Sequence, residues 1–226
     1  EIYTLSLHDA LPILVDDRTM RIDLDPELGE TRDHWYWRPG WRPGRRMYTF
    51  HLTMERAAAV QELASAARPV LSRFDRVDPV PVPWLHLTMN GLGFSDEVAG
   101  ARLEAVSDEV FAFRASLKDP VLRFTRLFLG REGVMLVAEN SDWLMELMRV
   151  QRGAINRLLG SREWGDFWPH TSLCYFNGKM DPRPLIDSLA PVVDTVPGDI
   201  SAIPTLTLMR LGRDEHIYTW EVIQQS

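Results

Sequence analysis

Two hydrophobic periods interleave along this chain. Met47 to Met54 alternates and is rich in β-branched and aromatic residues, the pattern of a half-buried strand. Glu55 to Phe74 is Ala-rich, with apolar residues at spacings of three and four, and predicts a helix. Pro79 to Pro83 predicts a rigid extended entry, because proline fixes φ and biases the residue before it toward extended backbone. Leu85 to Met89 follows as a strand, and Asn90-Gly91-Leu92-Gly93 as a turn. Asp96 to about Lys118 predicts a second helix with Ser95 as its N-cap. Val121 to Leu129 and Gly133 to Ala138 flank Gly130-Arg131-Glu132, a hairpin signal. A similar round follows. Ser141 caps a helix that runs to about Leu159 and stops at Gly160. Phe167 to Phe176 reads as a strand and Asp181 to Val193 as a shorter helix. Thr205 to Leu211 and His216 to Ile223 close the chain as a hairpin around Gly212-Arg213-Asp214-Glu215.

Within this layout one short pattern occurs in both halves. Trp84-Leu85-His86-Leu87-Thr88-Met89 lies in the first, and Trp168-Pro169-His170-Thr171-Ser172-Leu173 in the second. In a strand, side chains at i and i+2 share a face. Each copy therefore presents an imidazole beside a hydroxyl. Their separation, 170 − 86 = 84 residues, suggests an approximate internal duplication. His51-Leu52-Thr53-Met54 repeats the four residues of the first motif, but only 86 − 51 = 35 residues away, too close to belong to another lobe. By strand parity Thr49, His51 and Thr53 share the groove-facing side, so His51 is a candidate substrate contact, with a structural histidine as the alternative.

The length of 226 residues fits one large or two small domains. No apolar run approaches the ~20 residues that span a bilayer. Cys174 is the single cysteine, which excludes an internal disulfide and a Cys-rich metal site and suggests a reducing cytoplasm. The net charge of −7 argues against a grip on extended duplex nucleic acid. The charge is uneven: residues 32–46 hold five arginines and one aspartate, +4, leaving −11 elsewhere. A basic patch on an acidic body suits a small anionic ligand. Residues 1–14 resemble a translated sequencing adapter and are set aside together with His8. They show neither a basic start nor a signal-peptide cleavage pattern. Residues 15–46 are expected to form an irregular arm, Trp- and Arg-rich toward its end, before a domain spanning 47–223.

The paired His-x-Thr/Ser-apolar motifs, in the contexts Leu-His-Leu-Thr-Met and Pro-His-Thr-Ser-Leu, resemble those of the two-histidine (2H) phosphoesterase superfamily, which includes the 2′-5′ RNA ligase-like proteins and RNA cyclic phosphodiesterases. The resemblance covers roughly residues 47–223. It implies an α+β, bilobal, pseudo-two-fold fold with two antiparallel sheets lining a central groove and helices outside. It implies metal-independent chemistry on phosphodiesters, with no cofactor. Carried over by position, His86 and His170 are the catalytic pair and Thr88 and Ser172 the phosphate-binding hydroxyls. The expected partner is a small nucleotide or RNA end, with no membrane, and the expected state is a monomer. Tyr175 departs from the pattern, since many relatives have a basic residue there; it is kept as a candidate substrate contact beside the second motif.

Outside the motifs, Trp41 and Arg42 of the Trp/Arg-rich stretch could stack on a base and bind phosphate; packing of that stretch on the body is the plainer alternative. Tyr218 and Trp220 share a face of the last strand and could stack a base, or fill the core. By parity Cys174 joins the face of His170 and Ser172, though a small buried residue is its simpler role. Arg123, Arg126 and Arg131 are read mainly as solvated surface. Two competing functions stand beside the phosphoesterase reading: a three-His metal site of His51, His86 and His170, and a nucleotide-binding module without catalysis.

Overall fold

The computed structural model describes residues 19–226. The adapter-like segment and His8 lie outside the described residues. The elements are β1 (Arg21–Leu24), β2 (Met47–Thr53), α1 (Ala58–Leu71), β3 (Val77–Pro79), β4 (His86–Phe94), α2 (Gly100–Ser116), β5 (Leu122–Gly130), β6 (Gly133–Ala138), α3 (Asp142–Leu159), β7 (His170–Phe176), α4 (Arg183–Val193), β8 (Ile200–Ala202), β9 (Thr205–Gly212) and β10 (Thr219–Gln225). Among these described residues no helix is long and apolar enough to cross a membrane.

The strand order β1-β5-β6-β7-β4-β2-β9-β10, with β3 on β7 and β8 on β5, reads outward from its middle as two matching half-sheets. The unit β2-α1-β4-α2 corresponds to β6-α3-β7-α4, and the helices pair α1 with α4 and α2 with α3, as a two-fold relation requires. This is the expected mixed α+β fold. The two sheets are continuous, joined through one registered pair, Leu87 with Thr171 on antiparallel β4 and β7. Leu85, Leu87, Met89 and Leu173 point into the buried core beneath the helices.

Several local expectations shift, each for a physical reason. Asn90 to Gly93 is not a turn but part of β4. Its glycines sit opposite register shifts in β2, where Gly91 faces Thr49 and Gly93 faces Tyr48, and Gly93 takes φ +142°, which a side chain would disfavour. Helix α2 starts at Gly100 rather than Asp96, because Asp96 and Glu97 are drawn to Arg45 of the arm. The arm itself is not wholly irregular: Arg21–Leu24 pairs in parallel with Arg126–Leu129 of β5. Further on, Thr31, Arg32 and His34 donate main-chain hydrogen bonds to Met180, Arg131 and Phe176, which docks the arm on the second lobe. The β5–β6 hairpin forms as expected, with Gly130 paired to Gly133.

Two glycines separate packing from propensity. A Cβ on Gly133 would collide with the main-chain carbonyl of Cys174 on β7, whereas one on exposed Gly153 in α3 meets nothing. We expect Gly133→Ala to destabilise the protein by about 1–3 kcal/mol through overpacking and Gly153→Ala to stabilise it by about 0.5–1 kcal/mol. Urea unfolding of both variants checks this.

Candidate active site

Both motif histidines are held by the same contact. His86 Nδ1 lies 2.8 Å from the carbonyl oxygen of Trp84, and His170 Nδ1 lies 2.8 Å from that of Trp168. A carbonyl only accepts, so Nδ1 carries the hydrogen in each ring. Nε2 is then left as the lone pair available to a ligand. The repeated Trp-x-His triplet is the sequence trace of this geometry.

The junction between the sheets brings the motifs together. Leu87 stands opposite Thr171, and the strands run antiparallel. His86 is therefore set toward Ser172, and Thr88 toward His170. By register each imidazole is set toward the hydroxyl residue of the other motif and shares a strand face with its own, so neither lobe alone completes the site. All four residues line one open pocket of about 450 Å³.

His51, Tyr175, Tyr218 and Trp41 line the same pocket, so four of the five expected substrate contacts converge there. Arg42 does not. It turns outward and lies 3.7 Å from Asp96. Arg38 and Arg213 line the pocket in its place, with His34 and Glu132. None of these four belongs to a periodic pattern. They come from the arm and from two turns, so only the basic, aromatic character of residues 32–46 hinted at some of them.

His51 is not a third motif. It sits opposite Thr88 and lies face to face with His86, with ring centroids 4.5 Å apart and an interplanar angle of 16°. Its Nδ1 is 2.8 Å from the carbonyl oxygen of Phe50, and its buried Nε2 has no partner among the described residues. Two stacked imidazoles cannot aim their nitrogens at a common ion. Among the described residues no group of three or more His, Cys, Asp or Glu is placed to hold a metal.

Parity fails at the end of β7. The register against β6 slips between Ser172 and Cys174. This bulge turns Cys174 into the core, where burial pushes its thiol up to about 12, and brings Tyr175 onto the pocket face. Tyr175 stacks on His34 at 4.1 Å. His34 bridges Glu132, through Nδ1 at 2.9 Å, and the Tyr218 hydroxyl, through Nε2 at 2.9 Å. Glu132 also accepts from Arg32 and Arg38. Burial disfavours its charge, yet the hydrogen bonds from His34 and Arg32 outweigh that and hold its pKa at about 2. Tyr218 and Trp220 both stand edge-on to His86, at 5.9 and 5.4 Å. Arg123 and Arg126 pair with acidic neighbours away from the pocket.

Burial also sets the protonation of the imidazoles. His86 is 5 % exposed, and desolvation lowers its pKa to about 4 despite the opposing hydrogen bond to Trp84. His170 is lowered by burial, and His51 well below the ordinary value by burial and by the neighbouring His86. All three rings are neutral at pH 7.

These shifts predict the acid sensitivity of the fold. Unfolded, His86 titrates near the ordinary 6.5; folded, near 4. Between those values the unfolded chain binds more protons, so stability is full above about pH 6.5 and is lost as pH falls toward 4. His86 alone contributes on the order of 3 kcal/mol to that loss. Urea midpoints should fall from pH 6.5 to 4.5, and His86→Gln should make the fall shallower. An unchanged slope in the variant would contradict the assignment.

No protein-family model and no curated protein matches the sequence. Solved structures do match the fold. E. coli LigT in its apo form superposes with a TM-score of 0.54 at 15% identity, over 80% of this chain and 96% of LigT. TT0787 of Thermus thermophilus gives 0.54 at 17% identity, over 79% of this chain and 96% of its own. A structure described as a phosphoesterase gives 0.53 at 15% identity, over 80% and 97%. LigT has also been solved with 3′-AMP and with NADP+. The motifs and the architecture lead to the same place: this chain has the LigT-like fold.

Proposed function

We propose that the protein is a metal-independent phosphodiesterase that hydrolyses 2′,3′-cyclic phosphates or 2′-5′-linked or cyclic (oligo)nucleotides. The observation that carries this reading is the matched pair of Nδ1-anchored imidazoles, His86 and His170, each flanked by a hydroxyl of its own and of the opposite motif in one pocket. Such a pair suits in-line displacement at phosphorus. One Nε2 takes a proton from water as its oxygen bonds to phosphorus. The bond from phosphorus to a ribose oxygen breaks, and the other ring, as imidazolium, donates its Nε2 proton to that oxygen. Thr88 and Ser172 hydrogen-bond the non-bridging oxygens. Exchange with solvent restores the two protonation states. With a ribose hydroxyl in place of water, the same step is a 2′-5′ RNA ligation.

Size and charge fit a small nucleotide or an RNA end. The pocket of about 450 Å³ meets a smaller cleft of about 180 Å³ at His86, Tyr175 and Tyr218, so a substrate can extend to either side of the histidine. The 3′-AMP and NADP+ bound by LigT are ligands of this class. His51 supports His86 by stacking, a positioning role. Of the arm expected over 15–46, the described residues 19–46 wall the groove, and 47–223 are the catalytic body.

Two outcomes test the reading. Folded His86→Ala and His170→Ala variants should each lose about 10²–10⁴-fold in turnover of nucleoside 2′,3′-cyclic phosphates measured with chelator present; full activity in either would overturn it. The pH profile should also be displaced. The free enzyme needs one imidazole neutral and one protonated, so kcat/KM peaks between their pKa values. With His86 near 4 and His170 below 6.5, the maximum should lie between those limits and decline toward neutrality. A maximum above pH 7 would contradict the roles assigned.

A further inference from the structure

The pocket contains a buried cation whose charge nothing among the described residues balances. Arg213 is 4 % exposed and lines the pocket from the turn between β9 and β10. One guanidinium nitrogen, Nη2, donates to the main-chain oxygen of His34 at 2.8 Å. Its Nε and Nη1 are buried and have no partner among the described residues. The rings of Trp35, Trp41 and Tyr218 surround the group, with centroids 5.7, 5.9 and 5.8 Å from its central carbon. These contacts offset part of the desolvation of the charge. They do not supply an anion.

The neighbouring carboxylates are already engaged. Asp214, next in sequence, accepts from Arg46 at 2.6 Å and from the Gly44 amide at 3.0 Å. Glu132 accepts from Arg32, Arg38 and His34. The turn also carries two non-glycine residues at positive φ, Glu215 at 58° and His216 at 56°. Such backbone costs on the order of 1–3 kcal/mol per residue, and it persists where surrounding contacts over-determine it. Here those contacts are Asp214 with the arm and His216 with Asp78, 3.3 Å apart. A strained turn thus holds a guanidinium without a carboxylate partner in the wall of the pocket that the paired histidines also line.

We infer that Arg213 is the anion receptor of this pocket and binds a phosphate group of the substrate. The inference deepens the phosphoesterase reading and gives the site a cation the motifs lack. His86 and His170 commit Nδ1–H to carbonyls and are neutral at pH 7, so they offer an anion no positive charge there. Tyr175 is neutral as well. A guanidinium keeps its charge at any working pH and presents a fork matched to oxyanions.

The test is a binding measurement on the full chain, so it decides the inference whether or not the protein turns over any given diester. Sulfate, 3′-AMP, adenosine 3′,5′-bisphosphate and adenosine are titrated into wild type, Arg213→Met and Arg213→Lys, with heat of binding by calorimetry as the readout. Arg213→Met should bind sulfate about 10- to 100-fold more weakly, the effect of losing a charged hydrogen-bond donor. Arg213→Lys should fall between it and wild type, and adenosine should bind all three alike. A loss already present with 3′-AMP identifies the phosphate at the histidines as the bound group. A loss confined to the bisphosphate identifies a more distant phosphate. Sulfate affinity within twofold of wild type in Arg213→Met overturns the inference. So does equal loss of sulfate and adenosine, which would assign Arg213 to holding the arm. Should Arg213→Met fail to fold, Arg38→Met at pH 8 decides. There His34, His51, His86 and His170 are neutral and Arg213 is the one arginine left lining the pocket among the described residues, so sulfate binding that persists requires its guanidinium, and binding that disappears overturns the inference.

Discussion

The pairing of Leu87 with Thr171 is the contact on which the site depends. Among the described residues it is the one registered pair joining the two half-sheets, and it lies between the histidine and the hydroxyl of each motif. Because β4 and β7 run antiparallel, a hydrogen-bonded junction at this point necessarily crosses the motifs, with His86 toward Ser172 and His170 toward Thr88. A slip of one residue would turn every one of those side chains to the other face of the sheet. The buried apolar neighbours Leu85, Leu87, Met89 and Leu173 fix the register, since they must stay in the core. Core packing and site geometry are thus one constraint seen from the two faces of one sheet.

Burial gives the pocket its chemical character. Removing His86 and His170 from water penalises their charged forms, and the carbonyls of Trp84 and Trp168 do not reverse this. The free site therefore holds neutral imidazoles with outward lone pairs, a state suited to accepting a proton. An anionic substrate changes that balance, since negative charge at phosphorus favours an imidazolium. In the proposed reaction the substrate helps to protonate the acid that cleaves it. His51, stacked on His86, adds to this only while uncharged, and its burial keeps it so.

The arm supplies the remainder of the wall. It docks on the second lobe through Thr31, Arg32 and His34 and reaches the first through Arg45 and Arg46. Glu132 gathers the charges of Arg32 and Arg38 and orients His34, which in turn holds the Tyr218 hydroxyl beside His86. The five arginines of residues 32–46 are thus largely occupied with carboxylates of the body. Among the described residues the pocket-lining guanidinium without a carboxylate partner is Arg213, from a turn with no unusual composition.

What the sequence determined is whatever depends on neighbours close along the chain. Strand periodicity placed β2, β5, β6, β9 and β10 to within a few residues, and the two His-x-hydroxyl motifs were legible because i and i+2 share a strand face. The repeated Trp-x-His triplet even carried the carbonyl that fixes each ring. What only the tertiary structure decided is whatever depends on residues far apart. The bulges that made Asn90 to Gly93 a strand and exchanged Cys174 for Tyr175 arise from the register with partner strands, which local alternation cannot report. The stacking of His51 on His86, the outward turn of Arg42 and the arrival of His34, Glu132 and Arg213 follow from where loops of unrelated sequence meet. Burial, and with it the lowered pKa of each imidazole, is likewise a property of the assembled lobes: an isolated strand leaves its histidines in water.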